Sequence, residues 1–204
     1  MVRTCAYGIA IVALLLASAT PATALPWGVK AGVSLAGQDL GEYGPEVDGR
    51  TGLHAGVYVV AVQRGRFALL VEASYVQKGM KSTDYVSDPD EPNISEVEFD
   101  NRVDYISVPV LAEFSLSDGD IAPYVAGGIR CDFLLGYDSE WLIQYQYEDL
   151  SSLDFGYDIA AGIRTGSVLF EARYSGAFGE SFSESGEAVT ITNSAVLLSV
   201  GTRF

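Results

Sequence analysis

Cysteine is nearly absent from this chain: its 204 residues hold two. One of them is expected to be lost. The basic start Met1-Val2-Arg3, the apolar run Tyr7–Ala17 and the small-x-small pattern Ala22-Thr23-Ala24 predict a signal peptide over residues 1–24, cleaved near Ala24. Cleavage removes Cys5 and leaves Cys131 alone, which excludes a disulfide within the mature chain. Long apolar runs are missing too. Nothing after Leu25 approaches the ~18 unbroken apolar residues of a spanning helix, so a mature chain that enters a membrane must do so as strands. Positive charge is scarce: 12 Lys and Arg against 27 Asp and Glu give a net charge of -15, and without a basic face nucleic acid is not an expected partner. Histidine occurs once, at His54. A single His with no inward-facing Cys makes a poor metal set, and neither a metal nor a cofactor is expected.

What the chain does have is alternation. Eight segments place apolar residues at every second position: Trp27–Ala36, Thr51–Val62, Phe67–Lys78, Val103–Phe114, Ile121–Leu135, Asp154–Arg164, Ser167–Phe178 and the closing Thr190–Phe204. Ile106, Val108, Val110, Ala112 and Phe114 share one face of the fourth, for example, while Tyr105, Ser107, Pro109, Leu111 and Glu113 share the other. Pro109 has no N–H for a ladder, so a local break or bulge is expected there. Connections alternate long and short, with Arg64-Gly65-Arg66, Ser115–Asp120 and Thr165-Gly166 as tight turns, and most of the acids fall in the long connections. The longest of these is expected over Gly79–Arg102. An even number of strands of membrane-crossing length, with aromatics gathered at their ends, predicts an all-β fold: an eight-stranded antiparallel transmembrane β-barrel, an up-and-down meander over residues 25–204 in the outer membrane. A soluble barrel of lipocalin type would want the opposite pattern, apolar inside and polar outside.

Charges on the polar faces point into the barrel. Lys30, Glu72, Arg130, Asp132, Asp158, Glu171 and Arg173 are expected to form an ion-paired network, because charges in a low-dielectric lumen persist only when paired. Glu113, Arg164 and Arg203 fall on the same inward phase. A two-residue turn at Thr165-Gly166 would set Asp158 directly opposite Arg173. The filled interior favours a plug over a narrow ion path. His54 also faces inward, and a hydrolase centred on it would need a neighbouring Ser or carboxylate that no spacing singles out. Asp88-Pro89-Asp90-Glu91 and Glu96-Val97-Glu98 are the densest acid groups, without the spacing of a dedicated calcium loop.

Several stretches together resemble the PorT-type outer-membrane β-barrels. They are Glu72-Ala73-Ser74-Tyr75-Val76-Gln77-Lys78-Gly79, Tyr105-Ile106-Ser107-Val108-Pro109, Pro123-Tyr124-Val125-Ala126-Gly127-Gly128, Asp154-Phe155-Gly156-Tyr157-Asp158, Glu171-Ala172-Arg173-Tyr174 and the terminal Gly201-Thr202-Arg203-Phe204. The resemblance spans nearly the whole mature chain. It implies fold and location but no shared catalytic residues. It also implies delivery to the barrel-assembly machinery, with the C-terminal aromatic Phe204 as assembly signal. The expected role is a non-enzymatic anchor in the lipid bilayer, displaying acidic extracellular loops to a protein or surface-polymer partner. The alternatives are an enzyme acting on lipid or peptide at the outer mouth around His54, or a narrow pore.

Overall fold

The computed structural model describes residues 25–39, 47–87, 94–139, 153–178 and 192–204. The signal segment with its cleavage pattern, and the acid group Asp88–Glu91, lie outside the described residues. Eight strands form: β1 (Trp27–Asp39), β2 (Val47–Arg64), β3 (Phe67–Ser87), β4 (Ile94–Ser115), β5 (Ile121–Ser139), β6 (Leu153–Thr165), β7 (Val168–Ala177) and β8 (Thr192–Arg203). Each pairs antiparallel with its neighbours in sequence, and β8 pairs with β1 to close the barrel. No free edge is left within the ring, which is the condition for strands to cross a bilayer.

Burial follows the alternation. Along β7, Leu169, Glu171, Arg173 and Ser175 are buried while Val168, Phe170, Ala172 and Tyr174 are exposed. Val57, Ile129 and Ile159 are 52%, 64% and 60% exposed, against 2% for Glu72 and Arg173. The wall facing outward is therefore apolar and the interior charged, the inversion that a lipid solvent demands. Exposed aromatics ring both ends. Trp27, Phe67, Phe114 and Phe204 gather at the end that holds the short turns, and Phe155, Tyr174 and Phe178 at the other.

The largest departure from expectation concerns Gly79–Arg102, which is not a loop over most of its length. β3 runs on to Ser87 and β4 begins at Ile94, paired without interruption from Gly79↔Arg102 to Ser87↔Ile94. β2 likewise starts at Val47, and β5 reaches Ser139. Acids mark solvent rather than irregular backbone: past the bilayer a strand no longer needs a greasy face, so its alternation fades while its ladder continues. β3, with 21 residues, is about twice the ~9–11 that a membrane crossing requires. Beyond Ser82 and Asn101 the β3–β4 ribbon pairs only with itself among the described residues, since β2 and β5 make their last contacts there.

The β6–β7 register also differs. Thr165 pairs with Val168, so the turn is Gly166-Ser167 and not Thr165-Gly166. Ser175 then lies opposite Asp158, and Arg173 opposite Ala160. The reason is conformational: Gly166 has φ 56, the left-handed value a tight hairpin needs at its first turn residue, and Gly65 repeats it in the β2–β3 turn. Because the slide is two residues, every side chain keeps its face. At Pro109 the β3–β4 pairing skips from Val71↔Val110 to Ser74↔Ser107 with the register unchanged, a break without a bulge. Register shifts occur instead between Gly49 and His54, between Val60 and Val62, and between Asp104 and Tyr105.

Candidate functional site

The interior is built in layers. Toward the short turns, Tyr58, Val60, Ala68 and Leu169 pack together with Leu70 against them. Toward the outer end, Ala36, Val76, Ala195 and Leu197 form a second apolar layer. Between them lies a belt of charges, and all seven residues expected in the network sit in it. Arg173 is its hub. Its guanidinium donates to Glu72 Oε2 (2.9 Å), to Glu171 Oε1 (2.8 Å) and to Asp158 Oδ2 (3.1 Å). Lys30 Nζ reaches Glu72 Oε2 at 2.6 Å and Glu171 Oε1 at 2.9 Å. Arg130 pairs with Asp132 and donates to the Gly176 carbonyl, while its Nε lies 3.4 Å from Asp158 Oδ1, close enough for attraction but not an aligned hydrogen bond.

The ring of strands explains the hub. β3 and β7 stand on opposite walls, yet Arg173 and Glu72 touch, so the barrel is bridged straight across its lumen. Asp158 meets Arg173 although the two are not directly opposed on their strands, because a guanidinium spans the diagonal that a register slide of two residues opens. Small residues make room for large ones. Gly28 faces Tyr58 and Gly162 faces Tyr124 as direct cross-strand partners, and a Cβ at either glycine would strike the tyrosine ring. Tyr124 OH in turn donates to Glu171 Oε2 at 3.1 Å.

Other members join the belt. Lys78 Nζ donates to Asp132 Oδ2 at 2.7 Å and lies over the Tyr105 ring. Arg164 pairs with Glu113 at 2.6 Å below the belt and covers Tyr124. Asp154, at the start of β6, is buried beside Asp132 in the β5–β6 register. Lys78 and Asp154 share the inward phase of Glu72 and Asp158, so parity alone could have placed them in the network. Arg203 stands apart. It donates to Gln63 Oε1 at the turn end.

His54 is 1% exposed and stands between Ser199, whose Oγ is 3.2 Å from Nδ1, and Glu72, whose Oε1 is 3.6 Å from Nε2. A hydroxyl, an imidazole and a carboxylate in line is the order of a hydrolytic relay. Here, though, Glu72 is already engaged by Lys30, Arg173 and the Ser74 hydroxyl. Ser199 was missed because β8 becomes a partner of β1 only when the ring closes. Among the described residues no three His, Cys, Asp or Glu side chains assemble into a set that could hold a metal ion. Cys131 sits on the outward phase, half-buried on the wall.

At the turn end Phe204 stacks on Trp27, with ring centroids 4.6 Å apart, and its N–H donates to the Trp27 carbonyl. The C-terminus is thereby locked to the first residue of β1. Arg66 and Asp118 link two short turns in solvent, and that hydrogen bond raises the Arg66 pKa.

Comparison with solved structures gives similar small barrels at low identity. The outer membrane protein OprG from Pseudomonas aeruginosa is 12% identical with a TM-score of 0.49, covering 89% of this chain and 96% of that one. Ail, the attachment invasion locus protein of Yersinia pestis, is 12% identical with a TM-score of 0.44, covering 89% and 100%. AlkL, solved in DMPC lipid bilayers, is 15% identical with a TM-score of 0.41, covering 91% and 95%. No curated protein matches the chain. The family described as outer membrane protein beta-barrel domain matches residues 18–183, most of the chain and all strands but the last. The chain belongs to this family of outer-membrane β-barrels, and its place is the lipid bilayer of the cell outer membrane.

Proposed function

We propose that this protein is a closed, non-catalytic anchor that holds an acidic β-ribbon above the outer membrane for a protein or surface-polymer partner. The observation that carries this reading is the contact between Arg173 and Glu72 across the barrel, with apolar layers on either side of it. A lumen spanned by ion pairs, with Ala36, Val76, Ala195 and Leu197 packed on its β1, β3 and β8 side, leaves little room for a solute, and the His54 imidazole is buried within it. Function then moves to what projects outward. The ribbon over residues 83–87 and 94–98 carries Asp84, Glu96 and Glu98 and presents two strand edges that no described residue pairs. Unpaired edges are templates for an added strand. The motif order from Glu72 to Phe204 supports placing the chain among the PorT-type barrels, and Phe204, latched to Trp27, suits the role of assembly signal.

The test is deletion of residues 83–98 with a two-residue turn in their place. The truncated protein should insert with unchanged heat-modifiable mobility, while cross-links formed by the full chain on intact cells disappear. Cross-links that persist unchanged would sink the ribbon as the docking element. The in-line Ser199, His54 and Glu72 favour a second reading, hydrolysis of lipid or peptide at the outer mouth. An activity lost in His54→Ala would establish that reading in place of the first.

A further inference from the structure

The charges inside the barrel do not balance. Among the described residues the buried anions are Glu72, Glu113, Asp132, Asp154, Asp158 and Glu171. Facing them are Lys30, Lys78, Arg130 and Arg173, with Arg164 on Glu113. Counted apart from the His54 imidazole beside Glu72, six carboxylates meet five cations, an excess of one negative charge among these side chains.

Its location can be read from the hydrogen bonds. Glu72, Glu171 and Asp158 each accept from Arg173 and from at least one further donor, and Glu113 accepts from Arg164. Asp132 is different: Oδ2 takes both Lys78 and Arg130, while Oδ1 has no partner. Asp154 Oδ2 has none either. These two residues are direct cross-strand partners, both on the inward face, 0% and 7% exposed. Like charges placed so repel, and each orphaned acceptor carries a desolvation cost.

We infer that Asp132 and Asp154 share one proton, held between Asp132 Oδ1 and Asp154 Oδ2. A single proton gives both orphaned oxygens a partner and cancels the surplus charge. The groups around the pair fit a proton better than a metal ion. Lys78 from β3 and Arg130 from β5 already occupy Asp132 with positive charge, Tyr105 from β4 lies under Lys78, and Asp158 of β6 is held by Arg173 and Ser175 of β7. A cation placed there would face the positive charges of the Lys78 ammonium and the Arg130 guanidinium. The site stands at the outer end of the belt, where β6 enters the barrel, so the pair is an acid–base group built into the plug just inside its outer mouth.

The test is infrared spectroscopy of the full barrel in lipid vesicles at neutral pH, with and without carboxyl-13C aspartate. The wild type should show the carbonyl band of a protonated carboxylic acid that shifts with the aspartate label and in deuterated buffer. Asp154→Asn, which keeps the shape and supplies a neutral donor, should fold and lose the band entirely. A wild-type spectrum without the band overturns the inference, whether the compensating charge then appears on the His54 imidazole by 15N NMR or as a bound sodium ion. A band that survives Asp154→Asn overturns it as well. If that variant does not insert, carboxyl 13C NMR of the labelled wild type decides: one aspartate pair with a shared-proton signature supports the proton, and fully ionised aspartates exclude it.

Discussion

Arg173 shows what a single residue contributes to this interior. It is 2% exposed and meets three carboxylates from three strands, so its removal strands Glu72, Glu171 and Asp158 together. Breaking a buried pair costs about 3–5 kcal/mol, because the charge left behind has no solvent. Arg173→Ala should lower unfolding stability in lipid by at least that range, read from urea titration of heat-modifiable mobility. Arg173→Lys should fall in between: it keeps the charge but loses the fork that serves three acceptors at once. Arg66→Ala makes the contrast. Its partner Asp118 lies in solvent, and the substitution should leave the midpoint unchanged. The inward phase of Arg173 was legible in Glu171-Ala172-Arg173-Tyr174, but its partners across the lumen were not.

Elements are set by alternation within and by turns at their ends. The β6–β7 register depends on Gly166, whose φ of 56 no β-branched residue adopts without strain. Gly166→Val should therefore cost on the order of 1–3 kcal/mol. No atom lies within 4 Å of where its Cβ would stand, so a loss comes from backbone strain and not from a clash. Gly166→Asn, a residue tolerant of that conformation, should recover most of the loss in the same urea titration. The misread turn had a simple cause: Thr165-Gly166 and Gly166-Ser167 both place a glycine in the turn, and only the positive φ at its first position separates them. The β3–β4 ribbon was misread for another reason. Composition reports solvent, whereas the ladder from Gly79 to Ser87 is decided by backbone pairing with Arg102 to Ile94.

At the scale of the molecule the fold is a ring that closes on itself, with Phe204 stacked on Trp27 where end meets beginning. A lumen bridged wall to wall should carry no steady current, so planar-bilayer recordings of the purified protein should stay at the baseline of protein-free membranes. Stable unitary conductance that Arg173→Ala does not alter would contradict the plug. The same inversion of faces makes the bilayer part of the structure: Val57, Ile129 and Ile159 stay exposed because acyl chains, not water, complete their packing.

The sequence by itself determined the number of strands, the face each residue takes and the residence in a membrane, since period-two alternation needs no knowledge of neighbours. It also put Lys30, Glu72, Arg130, Asp132, Asp158, Glu171 and Arg173 on the inward face, without Lys78 and Asp154 among the named partners. Only the closed ring decided which carboxylate meets which cation. Arg173 and Glu72 are 101 residues apart and touch because β3 and β7 oppose each other in a narrow barrel. His54 finds Ser199 because β8 returns to β1. Local pattern fixes direction, while distance across a lumen depends on closure, and closure is a property of all eight strands at once.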